Sequence, residues 1–372
     1  MDWSQVHASR KFEALTLPLA LCSWGYGLGV RLQSMRFERR TPKRLPGFLL
    51  SIGNLTVGGA GKTPAACTLA QWGRNAGYRV AVLSRGYGGT RKDRVLVVSD
   101  GRRVQAGPEQ AGDEPVLLAR ALPGVPVVVS KDRYQAGQRA HQDFGSDFYI
   151  LDDGFQHRSL GRDLDLVLVD ARDPVGNGRL LPWGPLREPA HHVSRAHAVL
   201  ITRAQGWEQG KSPAEQWVSG FDHGPCFRSV HEPGPLVLAN GEARPASSLM
   251  GRPVVAFCGI ARPKAFLDTL EGLDAEVRSF RAFRDHHAYT RQEAQELTAL
   301  CDEQGAELLV TTEKDWVRSM PVLAADRRAG FLRVSLEIGP GRETLFRMIR
   351  ERAAQRGVTP EGRPHRRDAL HL

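Results

Sequence analysis

The sequence feature that most constrains the fold is a glycine-rich turn between a strand-like segment and a helix-like segment. The apolar run FLLSI occupies residues 48–52, the turn reads GNLTVGGAG from Gly53, and a helical pattern begins at Lys62. Glycines allow backbone N–H groups to converge on phosphate oxygens, and the N-terminus of the following helix adds positive potential. This order of strand, turn and helix predicts a phosphate-binding loop in an α/β domain.

Individual positions of the loop have predicted roles. Lys62 is expected to reach the β- and γ-phosphates of a nucleotide, and the Thr63 hydroxyl to bind Mg²⁺. The strict pattern GxxxxGK[ST] has glycine where this chain has Thr56. A glycine-rich turn with a chance lysine is the alternative, but it does not account for the Lys-Thr pair with correct flanks. The predicted nucleotide-binding positions are Thr56, Gly58, Gly59, Ala60, Gly61, Lys62 and Thr63.

Short apolar runs alternate with helical patterns after the loop. The candidate strands are 48–52, 79–84, 125–130, 148–151, 165–170 and 198–202, and the candidate helices are 62–76, 109–121 and 133–143. The runs are continuously apolar, as parallel strands covered on both faces are. This alternation predicts a doubly wound, mostly parallel P-loop sheet.

A second set of apolar runs follows a stretch around 205–235 in which the pattern weakens. These runs are 236–239, 254–258, 276–280, 307–311 and 331–335, with a helical pattern at 291–303. The sequence therefore predicts an α/β fold with a second, smaller α/β domain. The expected divisions are an anchor and basic segment at 1–44, the P-loop domain at 45–230, the second domain at 231–356 and a polar tail at 357–372.

Acidic residues follow the candidate strand at 148–151. The chain continues as Asp152-Asp153-Gly154, so an apolar strand ends in acidic residues. This is the Walker B arrangement, in which a carboxylate binds Mg²⁺ or its water shell. Ligands of open α/β sheets bind at the carboxyl ends of strands, which predicts that both carboxylates lie beside the phosphate loop. An acidic turn without a ligand is the structural alternative.

Three further motifs carry candidate functional residues. Asp113 lies in GDEP at the start of a helical pattern, where acids often only favour the helix dipole. The stiff loop LPWGPLREP offers Arg187 as an anion contact and Glu188 as a metal or hydroxyl contact. RDHHAY contains His286 and His287, and consecutive histidines are usually surface residues, although beside Asp they can orient a base or bind a metal. The DHH motif also occurs in a class of metal-dependent phosphoesterases. That chemistry needs several acidic motifs, and we find only this one.

Composition and charge narrow the class of protein. The 372 residues are 41% hydrophobic and 25% charged, which excludes a disordered chain, a collagen-like fibre and a polytopic membrane protein. Lysine and arginine total 51 against 41 acidic residues, and this net charge of +10 attracts anionic partners. The five cysteines form no CxxC pair, which argues against a zinc site or a disulfide framework and favours a reducing compartment.

The N-terminal region predicts contact with a membrane. Residues 14–30 are 17 residues without a charge, at the lower limit of a spanning helix, and they contain Pro18 and three glycines. Both a spanning and a surface-lying anchor remain open, and a helix packed on the protein's own core is the alternative. The basic residues that follow, which attract anionic lipids, are Arg31, Arg36, Arg39, Arg40, Lys43 and Arg44.

The motifs together resemble one family. SIGNLTVGGAGKTP, LSRGYGG, GDEP, LDDGFQHR, LLPWGPLREP, FRDHHAYT and TTEKDW occur in this order, and the resemblance covers roughly residues 14–335. The chain resembles the tetraacyldisaccharide 4'-kinases, the lipid A 4'-kinases of Gram-negative bacteria. Thr56 belongs to that family's own loop, so the departure from the strict pattern does not count against the match.

The resemblance implies an activity and a location. The implied kinase has a single N-terminal anchor at the cytoplasmic face of the inner membrane, among anionic lipids. It uses ATP and Mg²⁺ to phosphorylate the 4'-hydroxyl of lipid A disaccharide 1-phosphate, which gives lipid IVA. The implied active site lies in a cleft between two α/β domains. No nucleic acid and no obligate protein partner are expected.

The resemblance also implies residue roles. Asp113 becomes the general base on the 4'-hydroxyl and His286 its partner, although the sequence alone does not separate His286 from His287. Lys62 and Thr63 hold the phosphates and Mg²⁺. The remaining implied site residues, which manage Mg²⁺ or line the nucleotide or acceptor site, are Asp152, Asp153, Arg187 and Glu188.

Two rival functions explain part of the sequence. A P-loop ATPase or GTPase that drives a conformational change accounts for the loop and Asp152, but leaves the anchor, GDEP and DHH without a purpose. A nucleic-acid-binding protein accounts for the charge of +10. However, the seven Trp and six Tyr residues show no spacing with basic residues that suggests a base-stacking surface.

Overall fold

The computed structural model describes residues 17–91 and 93–360. Residues 1–16, which include the start of the predicted anchor segment, residue 92, and residues 361–372 of the predicted tail lie outside the described residues. Helix α1 (Leu17–Glu38) continues from the uncharged run into the basic segment. Within the described residues, no helix combines the length with the apolar character that crossing a membrane requires.

The first half of the chain forms the predicted alternation of strands and helices. The strands β1, β2, β4, β5, β6 and β7 are confirmed close to their expected bounds, and β1 and β4–β7 are buried along their whole length. The elements are β1 (Phe48–Gly53), α2 (Lys62–Asn75), β2 (Val80–Ser84), β3 (Val95–Asp100), α3 (Pro108–Ala111), α4 (Asp113–Ala121), β4 (Pro126–Ser130), α5 (Arg133–Phe144), β5 (Phe148–Asp152), β6 (Leu164–Asp170) and β7 (Ala198–Thr202).

The expected helix at 109–121 is wrong in one respect, because it is divided at Gly112. This residue has φ 87° and ψ 160°, which ends α3 and directs the chain into α4. A Cβ atom at this position would lie 2.3 Å from the backbone oxygen of Tyr87. Only glycine fits this turn, so the break fixes Asp113 as the first residue of α4.

The second half adds more strands and helices. Its elements are α6 (Pro213–Val218), β8 (Cys226–Leu238), β9 (Ala243–Arg244), β10 (Pro253–Cys258), α7 (Pro263–Glu271), β11 (Glu276–Ala282), α8 (Arg291–Glu303), β12 (Leu308–Thr312), α9 (Glu313–Leu323), β13 (Ala329–Ile338) and α10 (Arg342–Gln355). Thr290 caps α8 through a capping box with Glu293, as expected for a helix that begins at Arg291.

All strands of the described residues belong to one mostly parallel sheet. β8 joins its two parts, since it pairs in parallel with β7 and antiparallel with β13. The predicted domain boundary at 230 therefore falls inside β8. The strand order is β11-β10-β12-β13-β8-β7-β6-β1-β5-β2-β4-β3, with β9 beside β8.

Helix α10 returns from the end of the chain to cover the first part of the sheet. Phe346 is buried and stacks on Trp72 of α2, with ring centroids 4.5 Å apart and an interplanar angle of 15°. The guanidinium of Arg352 donates a hydrogen bond to the backbone oxygen of Asp163, which precedes β6. The last helix of the second half thus stabilises the core of the first half.

We predict that Phe346→Ala lowers the free energy of unfolding by about 3–5 kcal/mol, because it leaves a cavity beside Trp72. Denaturant unfolding measures the loss. Glu343→Ala on the same helix is the control, since its side chain is 82% exposed, and we expect a change within about 0.5 kcal/mol. Equal stability of the two variants would show that α10 does not dock on the core.

Candidate active site

The carboxyl ends of the parallel strands meet at one edge of the sheet and form the floor of a large cleft. The cleft has a volume of about 1460 Å³. Residues of the phosphate loop and the acidic pair after β5 line one side, and the loop of residues 284–289 and α9 line another. Part of α1 also borders it. This is the position at which open α/β sheets bind their ligands.

The phosphate loop holds Lys62 in place through a short chain of hydrogen bonds. Lys62 Nζ donates to Asn54 Oδ1 at 2.9 Å and lies 3.4 Å from Asp153 Oδ1. Asn54 is fully buried and its Nδ2 donates to Thr56 Oγ1 at 3.2 Å. Thr56 therefore supports the residue that orients Lys62, which explains a hydroxyl at the position where the strict pattern has glycine.

Gly61 lies at the N-cap of α2 in the left-handed region, with φ 82°. A Cβ atom there would lie 2.7 Å from His231 Nε2, so the loop approaches the second part of the sheet closely. Lys62 and Thr63 then begin α2, and both line the cleft. The loop thus presents backbone N–H groups, a lysine and a hydroxyl at one helix N-terminus, as binding of phosphates requires.

The acidic pair after β5 divides into two different environments. Asp152 is buried and accepts a hydrogen bond from Ser84 Oγ at 3.2 Å. Burial, Glu114 and Asp153 raise the pKa of Asp152 to about 7, and Lys62 opposes them. Lys62 therefore balances the negative charge of Asp152 only in part, so a bound cation would stabilise the ionised carboxylate.

Asp153 is compensated by cations. Its side chain lies 2.8 Å from Arg187 Nη1 and 3.4 Å from Lys62 Nζ. Burial raises the pKa of Asp153, but Lys62 and Arg187 outweigh burial and hold it below its ordinary value. Its backbone has φ 52°, which is uncommon for a residue other than glycine and turns the side chain into the site.

The oxygen atoms near the acidic pair suit Mg²⁺ bound together with phosphates and water, rather than a metal ion bound by protein ligands alone. Within residues 17–91 and 93–360, no group of three or more His, Cys, Asp or Glu side chains is arranged around a metal position. Mg²⁺ in nucleotide sites takes one or two carboxylates and fills its shell with phosphates and water. Asp152, Asp153 and the Thr63 hydroxyl have this chemistry.

Glu188 lies in the wall of the cleft, and the protein occupies its oxygens. It is 4% exposed and accepts hydrogen bonds from Gln156 Nε2 at 2.8 Å and Arg195 Nη2 at 2.7 Å, and it lies 2.7 Å from His192 Nδ1. Burial raises the pKa of Glu188, but His192 and Arg195 outweigh burial and lower it. These contacts favour a structural role, and a metal-binding role for Glu188 remains a prediction.

Asp113 and His286 contact one another across the cleft. Asp113 begins α4, and His286 Nδ1 lies 3.1 Å from its Oδ2. The other ring nitrogen of His286 lies 3.2 Å from Lys314 Nζ. His287 has different partners, since its Nε2 lies 2.9 Å from Glu293 Oε1. The contact separates two adjacent histidines that the sequence left equivalent.

Several residues of the site received no role from the sequence. Asn54 orients Lys62, Glu114 acts on Asp152, and Lys314 and Arg318 lie beside His286 and Asp113. Asn54 lies within the phosphate loop, so its position in the sequence could have identified it as a candidate site residue. The roles of Lys314 and Arg318 depend on α9 packing against α4, which no local pattern gives.

Comparison with known proteins gives consistent similarities. Residues 15–354 match the family model described as tetraacyldisaccharide-1-P 4'-kinase. The chain is 40% identical over 351 residues to the tetraacyldisaccharide 4'-kinase of Syntrophus aciditrophicus, covering 91% of this chain and 93% of the relative. It is 42% identical over 369 residues to that of Syntrophobacter fumaroxidans, covering 96% and 93%. The crystal structure of LpxK from Aquifex aeolicus in complex with ATP has a TM-score of 0.72 and 32% identity, covering 90% of this chain and 98% of that one.

We predict that Glu188→Gln lowers the free energy of unfolding by about 1–3 kcal/mol, because Arg195 and His192 lose their buried charged acceptor. Denaturant unfolding measures the change. Glu208→Gln is the control, since its side chain is 75% exposed beside Lys211. Unchanged stability together with weaker binding of Mg²⁺-ATP would contradict the structural role and favour Glu188 as a metal ligand.

Proposed function

The chain belongs to the tetraacyldisaccharide-1-P 4'-kinase family, and we propose that it performs the family's reaction with Asp113 as the general base. It is an ATP-dependent kinase that phosphorylates the 4'-hydroxyl of tetraacyldisaccharide 1-phosphate, a step in lipid A synthesis. The observation that carries the residue assignment is the contact of Asp113 with His286 at the cleft that also holds the phosphate loop.

The phosphate loop is proposed to bind the phosphates of ATP. Backbone N–H groups of residues 58–63 bind the phosphate oxygens, and Lys62 neutralises charge on the β- and γ-phosphates. When Mg²⁺ is bound, it neutralises further charge on the phosphates, and Thr63, Asp152 and Asp153 are the residues that would hold it. Arg187 supports this arrangement through its ion pair with Asp153.

Asp113 is proposed to take the proton of the 4'-hydroxyl as its oxygen attacks the γ-phosphate. Burial raises the pKa of Asp113, but the hydrogen bond with His286 and the charge of Arg318 hold it below its ordinary value. The carboxylate is therefore ionised at neutral pH and can accept a proton. His286 orients it from the opposite side of the cleft.

Residues 45–230 and 231–356 are proposed to act as two domains that approach each other around the substrates. Asp113 belongs to the first of these ranges and His286 to the second, so their contact exists only when the two are close together. A second contact across the cleft supports this division, since Arg262 lies 2.9 Å from Asp170. Closure of this kind brings the base and its partner together around the substrates.

Helix α1 is proposed to lie on the cytoplasmic face of the inner membrane. Its inner face packs on the protein, where Ser23 Oγ donates to the backbone oxygen of Leu180 and Tyr26 Oη to that of Arg187. Its outer face is apolar and exposed, whereas a helix packed on a core buries its apolar face and exposes its polar one. This stripe consists of Leu17, Leu21, Trp24, Leu28, Leu32 and Met35.

The basic residues that follow the apolar stripe support an anionic membrane as its partner. They are exposed and continue from the C-terminal end of α1, where lipid phosphates would meet them. Apolar contact and cation attraction together give two signals for binding to one surface. Anionic inner-membrane lipids are therefore the proposed partners of residues 17–44.

We predict that Asp113→Asn lowers acceptor-dependent phosphorylation by about 10²–10⁴-fold, because the hydroxyl loses its base. The measurement is transfer of the γ-phosphate from Mg²⁺-ATP to tetraacyldisaccharide 1-phosphate in detergent micelles. Glu109→Gln, an exposed acid close in sequence, is the matched control and should retain full activity. ATP hydrolysis that is indifferent to the lipid would instead favour a conformational ATPase.

We predict that the triple substitution Arg36→Gln, Arg39→Gln and Arg40→Gln weakens binding to vesicles containing phosphatidylglycerol by about 10²-fold at low salt, at about 1 kcal/mol for each cation. Sedimentation with vesicles measures the partition coefficient. The control removes the same charge elsewhere, with Gln at the exposed positions Arg102, Arg103 and Arg327. Equal loss in both triple variants would mean that net charge, rather than this segment, drives binding.

A further inference from the structure

We propose that Arg318 of α9 is a positioning residue that holds the Asp113 carboxylate and the loop of His286 in the arrangement needed for proton transfer. The inference rests on the proposed function, because it assigns a task to Arg318 only if Asp113 is the base. It accounts for the motif TTEKDWVR, whose helical part carries Lys314 and Arg318 on one face of α9, four residues apart.

Arg318 and His286 approach the same oxygen of Asp113. Arg318 Nε and His286 Nδ1 each lie 3.1 Å from Asp113 Oδ2. Among the residues that the structure describes, none donates a hydrogen bond to Oδ1 of Asp113. One carboxylate oxygen is therefore fixed by the protein, and the other is left to accept the proton of the substrate hydroxyl.

The guanidinium of Arg318 connects three elements through its three nitrogens. Nε contacts Asp113 of α4, Nη1 donates to the backbone oxygen of His287 at 3.0 Å, and Nη2 lies 3.6 Å from Asp315 Oδ1. Nη1 makes a hydrogen bond, whereas Nε and Nη2 make ion pairs by distance without hydrogen-bond geometry. Lysine has a single nitrogen and cannot make all three contacts at once. A single side chain thus sets the position of the base relative to the backbone that carries His286.

The anchor of Arg318 is itself rigid. Asp315 is fully buried and accepts hydrogen bonds from Tyr289 Oη at 3.0 Å and from Thr312 Oγ1 at 2.6 Å. Arg318 is only 7% exposed, so its side chain has little freedom to leave this position. Such a buried network positions a charge more accurately than an exposed ion pair does.

Arg318 and His286 differ in how far water reaches them. The Arg318 side chain is 7% exposed, so water and salt screen its charge weakly. The His286 side chain is 44% exposed. Arg318 therefore adds a buried positive charge to the hydrogen bond of His286, and both lower the pKa of Asp113.

The other charges around Asp113 set the direction of a pH effect. Lys314 of α9 faces the same carboxylate, Asp285 lies 3.3 Å from Lys314, and Glu114 follows Asp113 on α4. His286 and Lys314 remain when Arg318 is removed, but burial and the neighbouring acids then favour the neutral carboxyl. Because the base acts only when ionised, its loss of charge moves the acid limb of kcat/KM to higher pH.

The test compares pH profiles of kcat/KM for the lipid acceptor in wild type, Arg318→Met and Arg318→Lys. We expect the acid limb of Arg318→Met to move upward by about 1–3 pH units, with kcat at pH 7 reduced about 10-fold or more and KM for ATP unchanged. Arg318→Lys should lie between the two, because it restores the charge but not all three contacts. Arg327→Met, an exposed arginine that follows α9, is the matched control.

A second variant keeps the proposal testable if Arg318→Met does not fold. Arg318→Gln removes the charge but keeps a side chain that can form hydrogen bonds, and we expect a shift of the acid limb in the same direction. Thermal unfolding with and without Mg²⁺-ATP verifies that each variant is folded. An acid limb identical to wild type in folded Arg318→Met or folded Arg318→Gln overturns the proposal.

Asp113→Asn is assayed in parallel to separate this inference from the proposed function. If Asp113→Asn keeps its activity, the assignment of the base is wrong. If Asp113→Asn collapses while Arg318→Met keeps the wild-type acid limb, the base stands and only the role of Arg318 is wrong. A loss of turnover in Arg318→Met without any movement of the acid limb also contradicts the proposal, because it indicates a purely structural effect.

Discussion

The register between β1 and β5 fixes the geometry on which the site depends. Ile52, which precedes the phosphate loop, is paired with Asp152 in a parallel ladder, so the loop and the acidic pair leave the sheet side by side. The side-chain period of a strand is two residues, and a slip by one residue would turn Asp152 to the opposite face. Both strands are buried along their whole length, and this burial makes such a slip costly. The ion pair between Lys62 and Asp153 is a consequence of that register.

The two parts of the sheet are joined by a shared strand and by a helix that packs across both. β8 pairs with β7 on one side and β13 on the other, and α10 stacks Phe346 on Trp72 of the first half. Helix α9 of the second half also packs on α4, and Val317 of α9 lies in the same apolar core as Leu117 of α4. The contact of Asp113 with His286 is polar and borders the cleft, so it separates at lower cost than these apolar contacts.

Local patterns were sufficient for the phosphate loop, the buried parallel strands and the acidic pair, because each is specified by residues adjacent in sequence. The edge strand β3 was missed although residues 95–98 form an apolar run. It is only partly buried, it pairs antiparallel with β4, and no helix separates it from β2, so it falls outside the alternation of strands and helices. The docking of α10 and the contacts of Glu188 and Arg318 depend on partners distant in sequence. No window of residues contains that information. The choice of His286 over His287 likewise required the position of α4.

The loop that carries Arg187 links the proposed membrane helix to the chemistry. Tyr26 of α1 donates to the backbone oxygen of Arg187, whose guanidinium contacts Asp153 in the phosphate site. Ser23, one turn earlier on the same helix, donates to Leu180 at the other end of this loop. A helix resting on a membrane through its outer face would thereby hold the loop, and with it the acidic pair, at a fixed height above the lipid. The acceptor is a lipid whose sugar must reach the phosphate loop, and on the proposed membrane arrangement a fixed height would bring the two together.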